Sequence, residues 1–305
     1  TGAARDEVTP VAAGGDGAAG RTGNGAAGRT GSGPPSADDS LTFVGNATTV
    51  IRYGGFTLLT DPNFLRRGQY AHLGYGLRSR RLKNPAMEVH ELPRLDGVVL
   101  SHLHDDHWDR VAERGLDRDL PVLTTPAAAD TLRGRGFGRA DGIATWESRE
   151  LVRGDRKVTL TAVPGRHGPG PVARLLPPVM GTLLEFGPLG GPPDLRLLIS
   201  GDTLMDDRLA EIAHRWPDID LGVVHLGGTR LLGLVTVTMD GRQGADWMET
   251  VGCRAVVPVH CDDYTVMKSP LSEFQAEAAR RGMASRLRVV DRGRSLPLRP
   301  VMAER

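Results

Sequence analysis

Cysteine is nearly absent. Cys253 and Cys261 are the only two in 305 residues, too few for a disulfide scaffold, which points to a reducing compartment. Long apolar runs are missing as well. No stretch approaches the roughly 20 residues that a membrane-spanning helix needs. No charged-then-apolar leader opens the sequence, so a cytoplasmic location is expected. Charge of one sign is not in excess either. Thirty-eight Lys and Arg face thirty-seven Asp and Glu, a net +1, so nothing drives the whole chain toward nucleic acid or a membrane. With 39% hydrophobic residues the chain is nonetheless long enough to bury a full core.

The first forty residues are of another kind. They hold ten Gly and nine Ala, and the octapeptide at 17–24 nearly repeats at 25–32. Such a segment cannot bury enough apolar area to offset its chain entropy, so residues 1–40 are expected to be a disordered tail. Its glycines lack the preceding strand and the Lys-Ser/Thr ending of a phosphate-cradling loop.

What is abundant is histidine at strand ends. His102-Leu103-His104-Asp105-Asp106-His107 directly follows the apolar run Asp96-Gly97-Val98-Val99-Leu100-Ser101, which reads as a buried strand. Alternate positions of an extended chain share a side, so His102 and His104 can grip one ion together. Asp106 and His107 follow as the chain turns and can reach a second. Imidazole and carboxylate suit Zn(II), with Fe(II) or Mn(II) as alternatives. His167 follows a strand-like run at 157–164, Asp202 closes another at 195–201, and His260 ends a third at 254–259.

On Ser101-His102-Leu103-His104-Asp105-Asp106-His107, then His167, Ser200-Gly201-Asp202-Thr203 and His260, the sequence resembles the metallo-β-lactamase-fold hydrolases. The resemblance spans about residues 41–295. Val44-Gly45-Asn46-Ala47-Thr48-Thr49-Val50 and Leu59-Thr60-Asp61-Pro62 are similar to a narrower branch. That branch holds the L-ascorbate-6-phosphate lactonase-like and N-acyl-phosphatidylethanolamine phospholipase D-like proteins, many of which carry Gly-His where this chain has Gly45-Asn46. The resemblance implies two divalent metal ions, Zn2+ foremost and otherwise Mn2+ or Fe2+. His102, His104 and His167 would hold the first; Asp106, His107 and His260 the second; Asp202 would bridge them. Asp106 is also the candidate catalytic residue. A hydroxide between the ions would be the nucleophile, leaving a site charge of about +1 that favours anionic substrates.

The segment 62–87 carries Arg66, Arg67, Arg78, Arg80, Arg81 and Lys83 without one acidic residue, and Tyr70 and Tyr75 are interleaved. It is long for a connection. It reads either as a flap whose Arg78, Arg80 and Arg81 hold an anionic group, or as a solvated loop. Tyr264, just past His260, and His225 are further candidates for touching substrate; Asp61 is a candidate for orienting a liganding histidine from behind. His72 could also reach substrate. His90 and His214 read as surface residues, and Cys261 as a buried thiol packed beside the site.

Around these residues the chain reads as one α/β domain over 41–305. Strands are expected at 41–45, Thr48–Tyr53 and Phe56–Thr60, the last two a hairpin across Gly54-Gly55. Helices are expected at 126–135 with Thr125 as cap, 204–216, 240–251 and 270–281 with Ser269 as cap. The resemblance implies an αββα sandwich of two mixed β-sheets flanked by helices. The function so expected is a binuclear metal-dependent hydrolase acting on a small anionic substrate of the phosphodiester type, with lactone or other acyl-ester hydrolysis as the alternative. Iron-dependent redox chemistry is a lesser option. No nucleic acid partner is expected.

Overall fold

The computed structural model describes residues 39–74 and 76–299, together with the backbone of Pro10–Ala12. Most of the expected disordered tail, and Tyr75, lie outside the described residues. Within the tail, Pro10–Ala12 pair antiparallel with Ser148–Arg153 at the edge of a sheet, which the compositional reading did not foresee. Val8-Thr9-Pro10-Val11-Ala12-Ala13 is the tail's one stretch with apolar β-branched character, so it is where pairing is least costly. The boundary also begins slightly early, with Asp39 buried and Ser40 already in a strand.

Two seven-stranded mixed sheets form the middle of the molecule. In the first, the strand order is Ser295–Pro297, Ser40–Gly45, Thr48–Tyr53, Phe56–Thr60, Gly97–Val99, Val122–Thr124 and Ala140–Gly142. In the second it is Pro10–Ala12, Ser148–Arg153, Arg156–Val163, Gly181–Pro188, Leu195–Ile199, Leu221–His225 and Ala255–Val259. Period-two alternation places each strand's side chains on two faces. Ile51, Leu58, Val99, Leu184, Leu197, Val223 and Val257 point between the sheets and form one core. Their neighbours Val50, Leu59 and Val98 face outward into a second cluster with Ala112, Ala129 and Leu132 of the helices Arg110–Gly115 and Pro126–Gly134. Leu183, Leu198, Val224 and Val256 do the same for the helices Leu209–Arg215, Gly241–Val251 and Leu271–Arg280. Four layers result, αββα, as the sequence led us to expect. Each fully buried Leu, Ile or Val in these cores contributes about 1.5–3 kcal/mol.

Local signals account for several boundaries. Thr125 caps Pro126–Gly134 by accepting from Ala128 N, and the hairpin turns at Gly54 and Gly55, both at positive φ. Two helix expectations shift. The expected 204–216 helix begins only at Leu209, because residues 201–208 are loop behind Asp202. Ser269 does not cap the last helix. Pro270 occupies the cap position, while the Ser269 hydroxyl donates to Glu273 and accepts from Gly241 N. The helix Arg110–Gly115 was not foreseen; Asp109, its cap, is the next residue but one after the His-Asp motif.

Candidate metal centre

Six strands end on one edge of the sandwich, and each delivers a polar side chain to the same place. Phe56–Thr60 leads to Asp61, Gly97–Val99 to the His102–His107 loop, and Arg156–Val163 to His167. Leu195–Ile199 leads to Asp202, Leu221–His225 ends in His225, and Ala255–Val259 leads to His260. The seven residues expected as ligands are all buried there, and they fall into two groups. His102, His104 and His167 form one; Asp106, His107, Asp202 and His260 form the other, each group with its ligand atoms within 4.8 Å of one another.

The first group brings three ring nitrogens together. His104 Nδ1 lies 3.0 Å from His102 Nε2 and 3.4 Å from His167 Nε2. Nitrogens about 2.0 Å from a tetrahedral ion sit about 3.3 Å apart, so this spacing fits one shared zinc-sized ion. In the second group His260 Nε2 lies 3.3 Å from Asp106 Oδ2, and His107 Nε2 lies 3.2 Å from Asp202 Oδ2.

The outward-facing nitrogens are spoken for. His167 Nδ1 is 3.1 Å from the carbonyl of Val237, His260 Nδ1 3.2 Å from that of Leu226, and His102 Nδ1 3.0 Å from Ser101 Oγ. A carbonyl accepts only from an N–H, which fixes the tautomer of His167 and His260 and turns their Nε2 lone pairs inward. By contrast, His107 Nε2, Asp106 Oδ1 and Asp202 Oδ1 of the second group are buried with no partner in hydrogen-bonding geometry, as is His104 Nε2, the nitrogen of that ring that does not meet His102 and His167. Buried polar atoms are rarely left so. This donor set therefore fits divalent cations.

Burial and charge divide the two groups further. Burial holds the His102 imidazole well below its ordinary range, with His107, His104 and His167 adding repulsion. Burial likewise lowers His104 to about 4 and lowers His167. These three are neutral at pH 7, the form that ligates. On His107 burial also opposes the proton, but Asp202, Asp106 and Asp61 outweigh it and raise the group well above its usual value. His260 is raised in the same way, chiefly by Asp202 and Asp106 against burial.

Asp61 stands directly behind. Its Oδ2 lies 3.1 Å from His107 Nδ1 and 3.2 Å from His225 Nε2, and its Oδ1 accepts from Ser101 N at 2.7 Å. Burial would raise this carboxyl, yet His107 and His225 bring it down to about 2. His225 is fully buried, with Nδ1 3.3 Å from Ser200 Oγ, so it meets Asp61 and not a space that a substrate could enter. The expectation that it touches substrate is corrected accordingly.

Two more substrate candidates are also displaced. Arg81 does not belong to an exposed flap. Its guanidinium is fully buried and donates to Asn63 O, Asn63 Oδ1, Lys83 O and Asp263 Oδ1. Tyr264 is buried beside it and gives its hydroxyl to Asn63 Oδ1 at 2.9 Å. Neither can meet a substrate, because both complete a polar network under the site. Arg78 and Arg80 are exposed, on a two-stranded ribbon of Arg78–Arg80 with Tyr70–His72. That ribbon is pinned to the metal loop by Asp105, which accepts from His72 N and donates its own N–H to His72 O. Cys261, next to His260, is buried and belongs to neither ligand group, its Sγ 3.3 Å from Val259 O.

The sequence reading missed the residues that hold the ligand loops together. Asn46 accepts from His260 N, donates its side-chain amide to Asp106 O at 2.7 Å, and gives its backbone N–H to Asp263 Oδ2. It does so at φ 55°, a conformation Asn tolerates better than most residues. Asp109 accepts from Phe64 N, Leu65 N and Asn63 Nδ2 while capping its helix. Only the Asp before a helix start was a local signal for any of them. A separate cleft of about 580 Å3, lined by Leu95, Asp96, Leu116 and Pro121 among others, lies at the opposite strand ends and includes none of the ligands.

A family profile described as a beta-lactamase superfamily domain matches residues 57–261. A UPF0173 protein of Bacillus subtilis, YddR, is 25% identical over 270 residues, covering 84% of this chain and 98% of that one. An N-acyl-phosphatidylethanolamine-hydrolyzing phospholipase D of Caenorhabditis elegans is 29% identical over 135 residues, 41% of this chain and 37% of the relative. Among solved structures, a possible metal-dependent hydrolase from Veillonella parvula superposes with a TM-score of 0.71 at 20% identity, covering 85% of this chain and 98% of that one. The matched profile takes in every candidate ligand from His102 to His260, and the chain belongs to the metallo-β-lactamase superfamily.

Proposed function

We propose that this protein is a binuclear metal-dependent hydrolase acting on a small anionic substrate of the phosphodiester type. The observation that carries the reading is the buried pair of ligand groups, one with three ring nitrogens at the spacing of a shared ion, the other with His107 Nε2, Asp106 Oδ1 and Asp202 Oδ1 lacking partners. Two divalent ions, zinc foremost, would supply an activated water at neutral pH and positive charge for the developing anion. Every other part of the task falls to the chain. His102, His104 and His167 present neutral nitrogens; Asp106, Asp202, His107 and His260 present a carboxylate-rich face. Asp106 also stands at the reacting centre, with its second oxygen free of hydrogen bonds. Asp61 aims His107 from behind.

Of the ligands, His104 and His167 retain the most exposure, 8% and 5%, so substrate approaches on the three-histidine side. Exposed Arg78 and Arg80, on the ribbon tied to Asp105, favour an anionic group over a neutral lactone. The similarity to a phospholipase D supports the same choice. The same ligand set could serve acyl-ester or lactone hydrolysis, and the two are separated by experiment. The protein purified with its native metal is assayed for metal content, for cleavage of a bis-aryl phosphodiester and for opening of a simple lactone, each with and without chelator. Chelator-sensitive phosphodiester cleavage with two ions per chain is the expected result. Lactone opening alone would transfer the protein to the acyl reading, and one ion per chain would end the binuclear one.

A further inference from the structure

Four segments beside the candidate metal centre share a composition. Residues 62–87, 164–181, 226–239 and 264–269 contain ten Lys or Arg and no Asp or Glu, whereas the rest of the chain holds 28 Lys or Arg against 37 Asp or Glu. They are joined in space. Arg81 bridges to Tyr264, Thr229 to Met267, and Arg230 N donates to Val266 O, while Val237 O holds His167. Arg67, Arg78, Arg80, Arg174, Arg230 and Lys268 stand exposed on this rim.

The same rim carries the chain's most exposed leucines among the described residues. Leu232 is 76% exposed, Leu234 84% and Leu175 60%. Leu232 and Leu234 sit on the hairpin joining Arg230–Leu231 to Val235–Thr236, closed by Leu234 N donating to Leu231 O. The turn places Leu232 at φ 52° and Gly233 at φ 72°. Asn-Gly or Gly-Gly suits such a turn; a leucine there is strained and in water at once. A partner phase that takes up the leucines removes the second cost. A second copy of the chain is a poor occupant, because it would press together two rims whose exposed charges are mostly Arg and Lys.

We propose that this rim docks on an anionic lipid surface, with Leu232 and Leu234 entering the hydrocarbon boundary and the exposed arginines meeting headgroups. The inference deepens the proposed function, resting on it only for what the docked protein would reach.

The test is co-sedimentation of the as-purified full chain with phosphatidylcholine vesicles and with vesicles that also contain about 30% phosphatidylglycerol, at low and high salt. Binding to the anionic vesicles about tenfold above the neutral ones, weakened by salt, is expected. L232S/L234S should reduce it about tenfold and Arg230→Glu several-fold, both with unchanged melting temperature. Leu189→Ser, at an exposed leucine on the far end of the second sheet, should not change it. Equal binding to both vesicle types, or binding untouched by L232S/L234S, overturns the proposal. So does a dimer in sedimentation analysis that L232S/L234S dissolves without any vesicle binding. Metal content and diester cleavage are read separately, so a failure here leaves the two-ion reading standing.

Discussion

The two halves of the metal centre lie side by side on the same strand ends and are built on opposite principles. The three-histidine half needs no charge to be stable when empty. Burial keeps His102, His104 and His167 neutral, and their nitrogens already sit at ligand spacing. The mixed half gathers Asp106 and Asp202, with Asp61 behind, and offsets that charge with protons on His107 and His260. Desolvated carboxylates cannot be left without a positive partner. A cation bound there replaces protons; one bound among the three histidines replaces almost nothing. On the proposed two-ion reading, the difference teaches that one cluster would hold its ions by two unequal routes.

Removing Asp202 breaks the contrast most. It contacts both His107 and His260, and its removal takes one carboxylate from each, leaving Asp61 beside the first and Asp106 beside the second. Asp202→Ala should lose the ion of the mixed half, retain that of the three-histidine half, and lower kcat/KM on the order of 10^3-fold, about 4 kcal/mol of barrier. Metal analysis alongside kinetics checks it; two ions retained per chain would mean that Asp202 holds neither.

Acid should separate the halves without mutation. His107 and His260 have raised values, so their protons persist above the ordinary imidazole value of about 6.5 and compete with a cation. Affinity at the mixed half therefore rises with pH through the neutral range, by up to about tenfold per unit for each proton displaced. At the three-histidine half burial lowers all three groups, His104 to about 4, so affinity should change little from pH 7 to 8. Titration calorimetry in buffers of different ionisation heat reads the protons released. Equal release on filling both halves would remove the distinction drawn from charge.

A quieter change tests the residue behind the mixed half. Asp61 meets His107 directly and His102 only through the Ser101 hydroxyl, so Asp61→Asn should weaken chiefly the second ion, by about 10–100-fold. Weakening of both ions to the same extent would show that Asp61 serves the general fold.

How much of this was legible from the chain follows from the range of each interaction. The seven candidate ligands could be brought together in sequence because they follow strands whose apolar runs are themselves local, and Thr125 or Gly54-Gly55 mark their own boundaries. Arg81 could not. Six cations in a row without an acid look like a solvated flap until Asn63 and Asp263, 18 and 182 positions away, are seen to enclose one of them. Asn46 was hidden for the same reason, since its partners Asp106, His260 and Asp263 lie 60 or more positions ahead. Pattern shows which residues sit at strand ends; it does not show which polar side chains the packing will draw beneath them.

The smallest effect sharpens the asymmetry of access. Arg78 and Arg80 are exposed on the ribbon that Asp105 fixes beside the ligand loop, whereas Arg81, their neighbour, is buried in the network below. R78A/R80A should therefore raise KM for an anionic diester by roughly 3–10-fold, about 1 kcal/mol, as expected for exposed charges screened by water. Its kcat, metal content and melting temperature should stay unchanged, because no ligand or buried partner is lost. Repeating the assay at high salt should shrink the difference, since the attraction is screened within about 10 Å at 0.1 M. An unchanged KM would make the ribbon a solvated connection and leave the selection of an anion to the ions alone.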